Sequence, residues 1–193
     1  MIINIRGTSG SGKSTLVRNV MDLYEQKGRI RREGRKQPIG YILSNPREDQ
    51  IRHRILYVPG HYETACGGCD TINGLDDIYG LVRQAAETGA DVLFEGLIVC
   101  SDYKRLVQLK DDGYPTLVIG LNTPVDVCLE SVKQRRAAKG NDKELNPRNT
   151  ESKYKTNQRV LERFEEAGVA VARLDRDEAL VRILSELGLA SLT

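Results

Sequence analysis

Gly7-Thr8-Ser9-Gly10-Ser11-Gly12-Lys13-Ser14-Thr15 fills every fixed position of the pattern G-x-x-x-x-G-K-[ST]. Glycines at this spacing let backbone N–H groups close around an anion, and a helix opening behind them adds the positive end of its dipole. Lys13 has the reach for the β- and γ-phosphates of a nucleotide, and the Ser14 hydroxyl suits a magnesium ion. The nine residues from Gly7 to Thr15 are therefore candidates for nucleotide contact, with ATP and Mg2+ as the implied ligands.

Two further stretches carry chemistry. Asp91-Val92-Leu93-Phe94-Glu95 is an apolar run ending in an acid. A carboxylate at the end of such a strand is placed to hold magnesium or its water, so Glu95 joins Ser14 as a metal candidate. Pro59 to Ile72 is too rich in glycine for a helix and leaves a strand, where ligand sites of open α/β sheets lie. It offers His61, Glu63 and Asp70 as bases and Tyr62 as an aromatic, and reads as the loop that receives an acceptor substrate. Asp70 is the favoured base; its competing role is to cap the helix that follows. Cys66-x-x-Cys69 fits two packed thiols best. A zinc site completed by His61 and Cys100, or a redox pair, are the alternatives, and the spacing matches no four-ligand pattern.

The elements that position these residues alternate. Ile2–Ile5 is a strand, and a helix from Lys13 to about Gln26 follows, with Gly28 suited to its C-cap. Ile39–Leu43 and Ile55–Val58 are strands, one in the core and one beside it as a hairpin. Leu75–Gly89 is a strong helix, and Ser101 is a cap for another through Lys110. Thr116–Leu121 is a buried strand. Thr123-Pro124 opens a helix ending in Arg135-Arg136, and Ala137–Thr150 is a polar, lid-like stretch. Glu151–Ala167 is a charged helix, Val169–Leu174 the last strand and Asp177–Leu187 the closing helix. Strands alternating with helices predict an α/β fold with a mostly parallel sheet and right-handed crossovers.

With 193 residues the chain reads as one domain, its acceptor region at about 28–75 and its lid at about 137–150. No apolar run reaches 18 residues, and the first strand starts at once, so a cytoplasmic protein with no membrane contact is expected. The net charge of +2 is uninformative, but its distribution is not. Lys27 to Lys36 holds six basic residues and one acid, and Arg47, Arg52, His53 and Arg54 follow. This is either a solvated surface or a face for a polyanion, in which Arg31, Arg32 and Arg35 would bind an acceptor. The absence of Asn-Lys-x-Asp argues against a guanine-reading switch. A kinase for a free nucleoside or nucleotide stays open beside a kinase acting on DNA. Nothing fixes the oligomeric state, and a dimer is compatible.

The layout resembles the phosphate-loop kinases of the thymidylate kinase and polynucleotide kinase type, over nearly the whole chain. Val118 to Glu130, ending in Arg135-Arg136, is similar to the strand and helix that enter their lid. The resemblance implies a five-stranded sheet of order 2-3-1-4-5, and lid arginines that contact phosphates or stack on adenine. Arg135 and Arg136 thereby join Lys13, Asp70 and Glu95 as catalytic candidates, with Arg136 also on the nucleotide. Gly67-Gly68-Cys69-Asp70-Thr71-Ile72 with Phe94-Glu95-Gly96 resembles phage-encoded 5-hydroxymethyluridine DNA kinases. That likeness implies transfer of phosphate to the 5-hydroxymethyl group of a base within DNA, a step of thymidine hypermodification. A hairpin-like insertion before the acceptor loop departs from the simplest kinase pattern.

Overall fold

The structure is a computed structural model that describes residues 1–45, 55–64, 67–141 and 145–190. Its strands are β1 (Ile2–Arg6), β2 (Gln26–Ile30), β3 (Gly40–Ser44), β4 (Leu56–Pro59), β5 (Asp91–Glu95), β6 (Thr116–Leu121) and β7 (Ala170–Leu174). Its helices are α1 (Lys13–Asp22), α2 (Leu75–Glu87), α3 (Lys104–Asp111), α4 (Val125–Ala137), α5 (Pro147–Glu166) and α6 (Arg176–Glu186).

One sheet of seven strands runs β2-β3-β4-β5-β1-β6-β7. The expected count of five is therefore corrected. Strands β4, β5, β1, β6 and β7 pair in parallel with one another, and β3, antiparallel to β4, and β2 add an antiparallel edge. Numbered on their own in chain order, the five parallel strands follow 2-3-1-4-5; the two extra strands change the order of the whole. Leu56–Pro59 is thus the core strand and Gly40–Ser44 its hairpin-side neighbour.

The central strands β4, β5, β1 and β6 are buried on both faces, which is why they read as unbroken apolar runs. Ile3 and Ile5 of β1 pack with Leu16, Val17 and Val20 of α1 and Ile183 and Leu184 of α6. Ile2, Phe94 and Val118 pack on the other face with Ile78, Val82, Leu106, Leu161 and Phe164 of α2, α3 and α5. Arg6 shares that second face, fully buried at the end of β1. Its guanidinium donates to Asn4 Oδ1 at 2.6 Å and to the carbonyls of Cys100 and Asp102 at 3.0 and 2.7 Å, and stacks 4.5 Å above Phe164. Burial lowers its pKa, with Tyr79, Cys100 and Asp102 opposing the fall.

Several boundaries differ from expectation. Helix α1 stops at Asp22, and Gly28 lies inside β2 rather than at a C-cap. Pairing with β3 outweighs local helix signals there, with Gly28 opposite Ile42. Ser101 does not cap α3, whose N-cap is Tyr103 without a side-chain bond. Helix α5 starts at Pro147, earlier than Glu151, because Asn146 caps it and proline fits its first turn. This takes the end of the expected lid into a helix. Residues 142–144 of that lid, and Arg47, Arg52, His53, Arg54 and Cys66, lie outside the described residues.

Candidate active site

The phosphate loop bridges β1 and α1 at the centre of the sheet. Gly10 and Gly12 sit at φ +85° and +91°, values an L side chain rarely adopts. A Cβ on Gly10 would also lie 2.2 Å from the Cys128 carbonyl oxygen, so α4 packs directly against the loop. Helix α1 has no side-chain cap, which leaves its first-turn N–H groups for a ligand. Lys13 is buried and donates to the carbonyls of Gly7 and Thr8 at 2.8 and 3.0 Å, folded back along the loop.

Beside it, Ser14 Oγ donates to Glu95 Oε1 at 2.8 Å. Register brings the two together, since Ile5 of β1 is paired with Glu95 of β5. Glu95 is 2% exposed, and burial raises its carboxyl pKa against the pull of Lys13 and the Ser14 hydroxyl. A desolvated carboxylate touching a hydroxyl at a helix start suits a hard divalent cation. Magnesium takes one or two carboxylates with substrate phosphates rather than a full protein cage. No group of three or more His, Cys, Asp or Glu side chains suited to a metal occurs among the described residues.

A cleft of about 710 Å³ opens over this floor and is lined by Ser9 to Thr15, Arg18, Asp70, Glu95, Arg135 and Arg176, among others. The structure thus brings together Lys13, Ser14, Asp70, Glu95 and Arg135. Asp70 does not cap a following helix. Its Oδ2 and Oδ1 accept from the backbone N–H groups of Leu97 and Ile98 at 2.9 and 2.8 Å, which ties the acceptor loop to the segment after β5. Arg136 lines a neighbouring cavity of about 210 Å³ that reaches Ser9, Asn149 and Lys153.

The other acceptor candidates lie elsewhere. His61 and Tyr62 are buried, at 5% and 6% exposure, and do not line the cleft. Burial lowers the His61 pKa and raises that of Tyr62 well above its ordinary value. Tyr62 packs on Tyr41 and belongs to the core. Glu63 pairs with Arg29 at 3.0 Å, Arg32 with Asp77 at 3.5 Å, and Arg35 donates to the Thr71 carbonyl at 2.6 Å. Arg31 is exposed. Cys69 is fully buried, which raises its thiol pKa well above the ordinary value.

Two contributors are not evident from sequence. Arg18 lines the cleft and donates to the Tyr62 carbonyl at 3.0 Å and to that of Thr64, so α1 holds the acceptor loop. Its position four residues after Ser14, on the same helical face, is the signal that could have marked it. Arg176 follows β7 and brings its side chain within 3.3 Å of where a Gly12 Cβ would stand; nothing local in its sequence marks it.

An uncapped helix behind a glycine loop, with a buried lysine and a serine–carboxylate pair, defines a nucleotide-binding protein of the phosphate-loop class. Residues 1–67 match the ABC transporter family, over the part of the chain that carries this loop. Over 92% of both chains, the protein is 48% identical to a 5-hmdU DNA kinase of Pseudomonas phage PaMx11. It is 30% identical to a 5-hmdU DNA kinase of Delftia phage PhiW-14 over 87% of this chain and 65% of that one. A third, from Pseudomonas phage M6, is 28% identical over 71% and 73% of the two chains. The chain belongs to the 5-hmdU DNA kinase family and is a phosphate-loop kinase.

Proposed function

We propose that this kinase transfers the γ-phosphate of ATP to the 5-hydroxymethyl group of a uracil base within DNA. The observation that carries the reading is the floor of the cleft, where Lys13 and the Ser14–Glu95 pair meet, with Asp70 and Arg135 on the same walls. The activity for which the relatives are named supplies the acceptor. The exposed basic residues around β2 and the turn after it, Arg31 and Lys36 among them, suit a polyanion.

The steps follow from charge. Lys13 leaves the Gly7 and Thr8 carbonyls for the β- and γ-phosphates, exchanging neutral acceptors for charged ones. Asp70 takes the proton of the hydroxymethyl group. The freed oxygen bonds to the γ-phosphorus as the bond to the β–γ bridging oxygen breaks, and ADP departs. Arg135, at the end of α4, offsets charge on the transferring group. Ser14 and Glu95 would hold magnesium, which supplies further charge neutralisation when bound. All seven strands share one sheet, which supports residues 1–193 acting as one domain, with an acceptor region near 28–75 and a lid near 137–150.

The test is transfer from γ-labelled ATP to DNA containing 5-hydroxymethyluracil, to unmodified DNA and to free nucleosides. Label in the modified DNA alone is expected. Label only in free nucleosides or nucleotides would overturn the DNA reading and leave a nucleoside kinase.

A further inference from the structure

Behind the phosphate loop lies a second cavity of about 120 Å³, formed by the start of the loop, the segment after β5 and helix α5. Its lining includes Thr8, Leu97, Cys100, Lys153, Thr156 and Asn157. Thr8 and Asn157 are 2% and 4% exposed, and Thr8 Oγ1 and Asn157 Oδ1 have no hydrogen-bond partner. Buried polar atoms are almost always hydrogen-bonded, so two left unpartnered in one small cavity point to a ligand that completes them. Thr156 and Lys153 are exposed, which leaves the cavity open to solvent on the α5 side.

Size and chemistry narrow that ligand. A cavity of about 150 Å³ accommodates one benzene ring, so a space of about 120 Å³ that opens on the α5 side takes the edge of a single six-membered ring and leaves no depth for a bicyclic purine. The mostly apolar walls suit the faces of a ring, and the hydroxyl and amide suit its polar edge. Leu97 also lines the phosphate cleft, and its N–H is held by Asp70 Oδ2 at 2.9 Å. Leu97 thus borders both the cavity and the cleft that holds the proposed base. A nucleotide inside a duplex can reach such a place only by leaving the stack.

We propose that this cavity receives the extruded pyrimidine of the acceptor, with Asn157 and Thr8 binding its polar edge. The proposal rests on the acceptor being a hydroxymethylated base. The Asn157 amide accepts from the ring N3–H or donates to the adjacent carbonyl, and the Thr8 hydroxyl takes a second edge atom. Purine rejection follows from volume, and recognition of the edge from the cost of leaving either buried group unpaired.

The experiment uses the full chain, γ-labelled ATP, and DNA carrying either 5-hydroxymethyluracil or its N3-methyl derivative. Asn157→Ala should lower kcat/KM for the first DNA about 10- to 100-fold, with ATP affinity within about twofold of wild type. N3-methylation should cost the wild type a similar factor and cost Asn157→Ala little more, a coupling that a merely structural role would not produce. Thr156→Trp changes an exposed helix position and keeps the protein folded. It should block transfer by filling the mouth while ATP affinity and melting temperature hold. Wild-type transfer by either variant overturns the proposal, as does equal sensitivity of wild type and Asn157→Ala to N3-methylation. If the wild type labels only free nucleosides, the DNA reading fails on its own. The cavity is then tested by the same variants on those nucleosides, where a purine preference refutes it.

Discussion

Asp70→Asn exchanges one oxygen for an amide and separates two jobs of the side chain. In the structure both carboxylate oxygens are engaged, Oδ2 by the Leu97 N–H and Oδ1 by the Ile98 N–H. Asparagine can satisfy only one of them, and its NH2 then faces a donor. The bond is at an exposed position where water substitutes in part, so the structural loss should be about 1 kcal/mol. In a chain of this size that lowers Tm by about 2–4 °C. Loss of a positioned base costs far more, about 10²–10⁴ in rate, or roughly 3–5 kcal/mol of barrier. The assay is single-turnover transfer of labelled phosphate to 5-hydroxymethyluracil DNA at saturating ATP, with melting curves and ATP affinity measured on the same variant. The expected outcome is a small fall in Tm, near-normal ATP binding and a rate at least 100-fold lower. A rate within tenfold of wild type would refute the base assignment and leave Asp70 as the tie between the acceptor loop and the segment after β5.

Lys13→Ala should cut turnover by about 10²-fold or more, because its charge meets the moving phosphate, while the fold persists; near-normal labelling of acceptor would overturn the kinase mechanism. Gly68→Ala combines φ +75° with a Cβ 2.4 Å from Glu95 Oε1, so it should destabilise the protein and raise the magnesium requirement. Gly74→Ala, at φ +86° with open space around it, should show the conformational cost alone; equal behaviour of the two in a magnesium titration would remove Gly68 from the site. Burial pushes the Tyr57 hydroxyl up to about 12, so the stability held by its neutral form is complete below pH 10 and lost as pH rises to 12. That loss is about 3 kcal/mol, and denaturant titrations should find it reduced in Tyr57→Phe; identical pH curves would contradict the assignment. Reversing Arg31 and Lys36 to Glu spares the residues that hold the loop, Arg29, Arg32 and Arg35. It should weaken DNA binding and flatten the salt slope by up to about 0.9 for each phosphate no longer neutralised, and an unchanged slope would remove this face from DNA binding.

The nucleotide half of the site was legible because its pattern is local. Gly7 to Thr15 carries its own turn, anion cradle and helix start, and the apolar run before Glu95 announces a buried strand end. The acceptor half was less legible because long-range packing decides it. His61 and Tyr62 have the residue types of a ligand loop, yet the chain buries both, with Tyr62 held by Arg18 and Tyr41. Lys27-Gly28-Arg29 lacks alternation because β2 is an exposed edge strand, and its partner appears only at Gly40. Charged residues on such an edge discourage further strand pairing, which explains a basic run in a strand. Arg6 is the extreme case. No local rule puts an arginine in a buried strand, and its partners Cys100, Asp102 and Phe164 come from distant segments.

The central place of β1 sets an order of events as the chain is made. Strands β2 and β3 are a local antiparallel pair and can close as soon as both are available. Strand β1, although it precedes the other six strands, has no neighbour until β5 and then β6 exist, some 90 residues or more downstream. Such distant parallel pairing closes a long loop before it is rewarded, and is slow for that reason. Until about residue 121 has emerged, β1 lacks its β6 neighbour, and the phosphate loop is supported by the sheet on one side only. A nascent chain ending before β6 should therefore hold its hairpin but bind no nucleotide, which makes nucleotide binding a reporter of β1 having gained both its neighbours.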